Sequence, residues 1–138
     1  MIVFLDTNVL LDTLVVRDNP QFARNAATIL SLGENGTLEL RMSVLSVPTI
    51  AYVLKNMSPS AKKTIIGDLV DIVEVLPSLP EHVTNMLAGQ ISDIEDALQV
   101  QSAVEGRCDV IVTRNIHDFR QSEIPAITPD DLLDRILL

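Results

Sequence analysis

Two runs in this chain, IVFL at Ile2–Leu5 and VIVT at residues 110–113, do not alternate apolar with polar residues. A strand with one face in water alternates. Unbroken apolar runs belong to strands covered on both faces, which is the pattern of a parallel sheet between two helical layers. Further strand-like segments lie at residues 38–42, at Val73–Leu76 and, more weakly, at residues 126–128, and VIVT completes a strand over residues 109–113.

Stretches with helical spacing separate these runs. Pro20 suits the first turn of a helix with an apolar stripe of Phe22, Ala23, Ala26, Ala27 and Leu30, ending near Gly33 and Gly36. Ser58-Pro59 opens another, with Ile65, Ile66, Leu69 and Val70 inward and Lys62 and Lys63 outward. A short helix follows Pro80 over residues 81–87. Ser92-Asp-Ile-Glu95 reads as a capping box that starts a helix over residues 93–105, with Gly106 at its end. Pro129-Asp-Asp opens a C-terminal helix. This alternation predicts one α/β domain over residues 1–138, a three-layer α/β/α arrangement around a central parallel sheet of four to five strands.

Composition narrows the function classes. With 138 residues, 47% of them hydrophobic, the chain can bury a core without staples. The single cysteine, Cys108, excludes an internal disulfide and a cysteine-based zinc cluster and suits a reducing compartment. The near-apolar stretch at residues 44–54 falls far short of the roughly 20 residues of a membrane span, and the segment after Met1 lacks the cationic start of a signal peptide. A soluble cytoplasmic protein without membrane association is the expectation. The net charge of −9 opposes nucleic-acid binding by a global field, and aromatic residues, at 3% with no Trp, offer few stacking platforms. A nucleic-acid substrate therefore requires local help from a divalent metal, from a basic patch such as Lys55, Lys62 and Lys63, or from a partner chain.

Ligand sites of parallel α/β sheets lie outside the carboxyl ends of the strands. Asp6 follows the first strand and Asn115 follows the strand at 109–113, which places both at one sheet edge. Asp6, Thr7 and Asn8 are all competent helix caps, and since one cap suffices, the excess favours a site over simple capping. On a projection of about 100° per residue, Asp96, Asp93, Ala97, Val100, Ala103 and Val104 share one face, and Glu95 falls at about 260°, on the opposite side. Carboxylates on a buried face are costly unless paired or bound to metal, although a helix N-terminus compensates Asp93 in part. Asn115 can cap a turn, and His117 reads as a surface residue, since a lone His is a poor basis for a zinc site. Asp118 and Asn115 offer oxygen ligands suited to Mg²⁺ or Mn²⁺. No glycine-rich phosphate loop and no G-x-S-x-G elbow is present. Cys108 reads as a packing residue.

MIVFLDTNVLLD, SDIEDALQ and CDVIVTRNIHDF, in this order, resemble the PIN domain along nearly the whole chain. Bacterial single-domain members of this length are often toxins of VapBC-type toxin–antitoxin pairs. The resemblance implies an α/β fold and a Mg²⁺- or Mn²⁺-dependent endoribonuclease acting on RNA, with a cognate antitoxin and a homodimer as partners. By position, Asp6 matches the first family carboxylate and Asp96 the third. Asn115 stands where many members carry the fourth, and Asp118 is a substitute or supporting ligand. The implied metal ligands are Asp6, Asp96, Asp93 and Asp118, with Thr7 or Thr113 orienting a carboxylate or water and Asn8 holding the loop. The second family carboxylate, a Glu expected within SVLSVPTIAYVL, is matched by Thr49, and no acid occurs between Met42 and Lys55. That departure leaves a competing expectation, a PIN-like nucleic-acid or protein binding module with weak or no catalysis. A small phosphatase using Asp6 is a weaker third.

Overall fold

The computed structural model describes residues 1–137. Strands β1 (Ile2–Leu5), β2 (Glu39–Ser43), β3 (Val73–Leu76), β4 (Val110–Val112) and β5 (Ala126–Ile127) form one sheet, ordered β3-β2-β1-β4-β5, with every neighbouring pair parallel. Around it run α1 (Thr7–Asp12), α2 (Pro20–Glu34), α3 (Ser46–Val53), α4 (Pro59–Val70), α5 (Pro80–Ala88), α6 (Ile94–Glu105) and α7 (Pro129–Leu137), with a 3-10 turn at Ile116–Phe119. Among the described residues no helix is long and apolar enough to cross a membrane.

The strand period of two divides the central side chains between two cores. Val3 and Leu5 of β1 join Leu40 and Met42 of β2 and Val110 and Val112 of β4 under Leu10, Ile29, Ile50, Leu69 and Leu132 from five helices. Phe4 and Ile111 face the other way and are covered by Val100 and Ala103 of α6 and by Phe119. The result is the three-layer α/β/α arrangement around a parallel sheet, with α5 packed on α6.

Local chemistry sets the helix ends. Asn19 caps α2 by accepting from the Gln21 amide at 2.9 Å, and Ser58 caps α4 by accepting from that of Ala61 at 3.1 Å. Four details differ from the sequence expectation. In α2, Ala27 is exposed and Asn25 is buried, because Asn25 turns inward to donate to Asp130 of α7 at 2.8 Å. Gly33 lies within the last turn of α2, where a Cβ would collide with the Leu40 side chain, and Gly36, at φ +83°, supplies the left-handed residue beyond. Val70 points outward and Leu69 alone fills that end of α4. The capping box from Ser92 to Glu95 does not form, because Asp93 is the cap and accepts from the Asp96 amide at 2.9 Å. The stretch at 44–54 is split, with Ser46, Ile50 and Leu54 buried and Val44, Tyr52 and Val53 exposed.

The sheet order reverses about β1, since β2 lies on one side of it and β4 on the other. Such a switch point opens a crevice at the carboxyl ends of the two strands. Leu5 pairs with Val112, so Asp6 emerges beside Thr113, and its amide donates to the Val112 carbonyl at 3.0 Å. A charge cluster braces this edge. Asp12, 4% exposed, receives Arg17 at 3.3 Å and Arg114 at 3.2 Å. Arg114 also reaches Asp18 at 3.4 Å and lies over the Phe22 ring, 4.3 Å from its centroid. The loop between α1 and α2 is thereby tied to the residue after Thr113.

Removing the buried partner leaves Arg114 only the exposed Asp18 and Arg17 only the oxygens of Asn8. Asp12→Ala is therefore expected to cost about 2–3 kcal/mol. Urea unfolding checks this as a lowered midpoint with an unchanged slope.

Candidate active site

Asp6 terminates β1 in extended backbone (φ −61°, ψ 150°) and occupies the N-cap position of α1, yet its side chain makes no capping hydrogen bond. Its carboxylate is engaged elsewhere. Thr113 Oγ1 donates to Oδ2 at 2.8 Å, and Gln99 Nε2 donates to Oδ1 at 3.1 Å. Thr113 Oγ1 accepts in turn from the Asn115 amide at 3.0 Å, and Gln99 Oε1 accepts from the Thr7 amide at 3.3 Å. Gln99 thus satisfies the Thr7 amide, and the Asp6 carboxylate lines the cleft. Asp6 therefore does not act as a side-chain cap of α1.

The cleft at the switch point has a volume of about 280 Å³, and its lining brings together Asp6, Thr7, Asn8, Asp93, Asp96, Asn115 and Asp118, with Thr49 and Glu95 beside them. β1 and α1 supply the first three, the start of α6 supplies Asp93 and Asp96, and the segment after β4 supplies Asn115 and Asp118. Thr113 stands behind Asp6 and is fully buried. A larger hollow of about 400 Å³ between α5 and α6 is lined by one carboxylate, Glu123, and lacks this concentration of charge.

Crowded carboxylates perturb one another. Burial raises Asp6 above the usual carboxylate range, opposed by the hydrogen bonds from Thr113 and Gln99, with the Asp118 charge adding to the rise. Asp96 is pushed up to about 7, first by burial and then by the negative charges of Asp93, Asp6, Asp118 and Glu95. His117 is exposed on the 3-10 turn. Cys108 lies in the second core, where burial pushes its thiol up to about 11 and leaves it unsuited to nucleophilic attack.

Among the described residues, no group of three or more His, Cys, Asp or Glu side chains is arranged so that it could hold a metal ion. No all-protein cage is needed for Mg²⁺, which keeps several waters and binds through one or two carboxylates. The donors lining the cleft are oxygens, and the negative charge that adds to the effect of burial on Asp96 is the kind a divalent cation offsets. The residues present fit such an ion.

Three participants escape sequence reasoning. Gln99 falls beside Ala103 on the helical projection, and a polar group there was the available signal. Ser46 is a buried hydroxyl, 2.7 Å from Thr7 Oγ1. Glu95, expected on the far side of α6, reaches the cleft and accepts from Thr7 Oγ1 at 3.2 Å. Angular position around the axis does not decide exposure at a helix end, because side chains lean toward the N-terminus and the cleft lies beyond that end.

A parallel sheet of this order with acids gathered at its switch point defines the class, and a family model described as the PIN domain matches residues 2–117; the chain belongs to the PIN domain family. It is similar to Ribonuclease VapC1 of Aquifex aeolicus (strain VF5), 27% identical over 142 aligned positions that take in 96% of this chain and 94% of that protein. Among solved structures it resembles VapBC2 from Rickettsia felis bound to a DNA fragment from their promoter, with a TM-score of 0.65, 15% identity and coverage of 93% of this chain and 98% of that one. VapBC-1 from nontypeable Haemophilus influenzae gives a TM-score of 0.65 and 16% identity over 94% of this chain and 99% of that one. At these identities the structural likeness shows the fold.

The raised Asp96 value has a consequence for stability. Between the ordinary value of 3.8 and about 7 the folded chain holds a proton that the unfolded chain releases. The contribution is fully present below the ordinary value and is lost as pH rises through the folded one. In chelator-containing buffer, Asp96→Asn is expected to raise Tm by about 2–4 °C at pH 8, a modest gain because the group is partly solvated. The difference should shrink toward pH 5, and thermal melts at the two pH values check it.

Proposed function

We propose that this chain is a metal-dependent endoribonuclease that hydrolyses RNA phosphodiester bonds, the toxin of a toxin–antitoxin pair acting in the cytoplasm. Its partners on this reading are a cognate antitoxin and a second copy of itself. One observation carries the proposal: the buried Asp6 and the charge-crowded Asp96 converge with Asp118 on one cleft at the switch point of a PIN fold. The named ribonuclease relative and the toxin–antitoxin complexes sharing the fold support the reading.

Asp6 and Asp96 are the residues that would hold Mg²⁺ or Mn²⁺, with Asp93 and Asp118 as additional oxygen donors. When bound, the ion supplies charge neutralisation for the phosphodiester and lowers the pKa of the attacking water. Thr113 and Gln99 each occupy one oxygen of Asp6 and fix its orientation, leaving further lone pairs free. Asn115 offers a neutral amide to a phosphate oxygen where many relatives place a fourth acid. Asn8 is held by Arg17, whose Nη2 donates to its carbonyl at 3.2 Å. Arg17 and Arg114 are paired with Asp12 and Asp18 and leave no net positive charge there, so at a chain of net charge −9 the bound cation would be what offsets the repulsion an RNA strand meets.

Thr49 and Asn115, neutral where carboxylates are expected, favour a second reading: a PIN-fold module that binds nucleic acid or protein without cutting. Incubation of single-stranded RNA with Mn²⁺ or Mg²⁺ separates the two. Cleavage by the wild type is expected, with Asp6→Asn and Asp96→Asn each reducing the rate by about 100-fold or more. Cleavage that survives both substitutions overturns the site, and an RNA-binding wild type that neither cuts nor binds Mn²⁺ establishes the binding module.

A further inference from the structure

The cleft contains a fifth carboxylate, Glu95, to which the resemblance assigns no role. Glu95 stands at the second position of α6, and its side chain enters a hydrogen-bond chain leading to α3. Ser46 Oγ and Thr7 Oγ1 are 2.7 Å apart, and Thr7 Oγ1 lies 3.2 Å from Glu95 Oε1 and 3.4 Å from Gln99 Oε1. Thr7 has one hydroxyl proton to give. If Ser46 donates to Thr7, that proton goes to an acceptor on α6, and the nearer, charged Glu95 is the stronger of the two.

The position of Ser46 gives this chain its meaning. Ser46 and Thr49 are three residues apart on α3 and therefore neighbours on one helix face. Thr49 is where the PIN resemblance expects the second carboxylate, and it lines the same cleft as Glu95. A carboxylate carried by α6 thus stands against the helix face from which the acid is missing.

We propose that Glu95 supplies the second acidic group of this site, replacing from α6 the carboxylate that α3 lacks at Thr49, with Thr7 as its positioning residue. The inference rests on the metal-dependent reading of the cleft. It makes the neutral residue at Thr49 a relocation of charge between helices and not a loss of it. Glu95 is exposed at the cleft rim, so its substitution leaves the core packing untouched.

Mn²⁺ binding, followed by electron paramagnetic resonance and calorimetry with RNA cleavage alongside, tests the proposal in the full chain. Glu95→Gln should weaken Mn²⁺ binding by about 10- to 100-fold without lowering Tm. The double substitution Thr49→Glu with Glu95→Gln should restore most of the affinity, a rescue that a purely structural role for Glu95 does not predict. Glu95→Gln that binds Mn²⁺ and cuts RNA like the wild type, while Asp96→Asn does neither, overturns the relocation and leaves the ribonuclease reading standing. A double variant no better than Glu95→Gln alone also overturns it. A wild type that neither binds Mn²⁺ nor cuts RNA removes the metal-dependent reading and this inference with it.

Discussion

The burial of one carboxylate between two parallel strands organises this molecule. Asp6 leaves β1 where β4 lies alongside, and a charge in that position is tolerable only if its oxygens are bonded. Thr113 from β4 and Gln99 from α6 provide those bonds. They join the sheet edge and the helix layer at one point, so the spacing of the strands, the docking of α6 and the orientation of Asp6 are aspects of a single arrangement. The Gln99 amide group serves twice, donating to Asp6 and accepting from the first turn of α1.

Around that anchor the fold concentrates like charge instead of dispersing it. Asp93, Glu95 and Asp96 sit at the start of α6, where the helix dipole and the free amides temper their repulsion. Asp118 faces them from the turn after β4. Burial first, and then these neighbouring charges, raise Asp96 above the usual carboxylate range. Such strain is a common cost of a functional site, and Arg17 and Arg114 do not relieve it, since they are locked onto Asp12 behind the cleft.

The buried strands, their alternation with helices and the carboxyl-edge placement of Asp6 and Asn115 were legible because apolar runs and helical periods are local properties of the chain. So were the helix starts at Pro20 and at Ser58-Pro59, where a proline fits the first turn. Errors arose where a distant partner decided the outcome. Asn25 displaced Ala27 from the inner face of α2 because Asp130, far along the chain, is its hydrogen-bond partner. Ser92 lost the capping role to Asp93 because either residue can cap in isolation. Glu95 falls on the far side of α6 in a helical projection, which carries no information about what lies beyond the end of the helix.

The sequence by itself determined the layer architecture and the identity of most groups at the strand ends, since burial pattern and residue type are written position by position. Tertiary structure alone decided which of those groups meet. The sheet order placed β4 beside β1 and so joined Thr113 to Asp6. The docking of α6 brought Gln99 and Glu95 to the same cleft. These contacts span about ninety residues or more of chain, and the free energy that selects them is that of the packed whole, which no local pattern encodes.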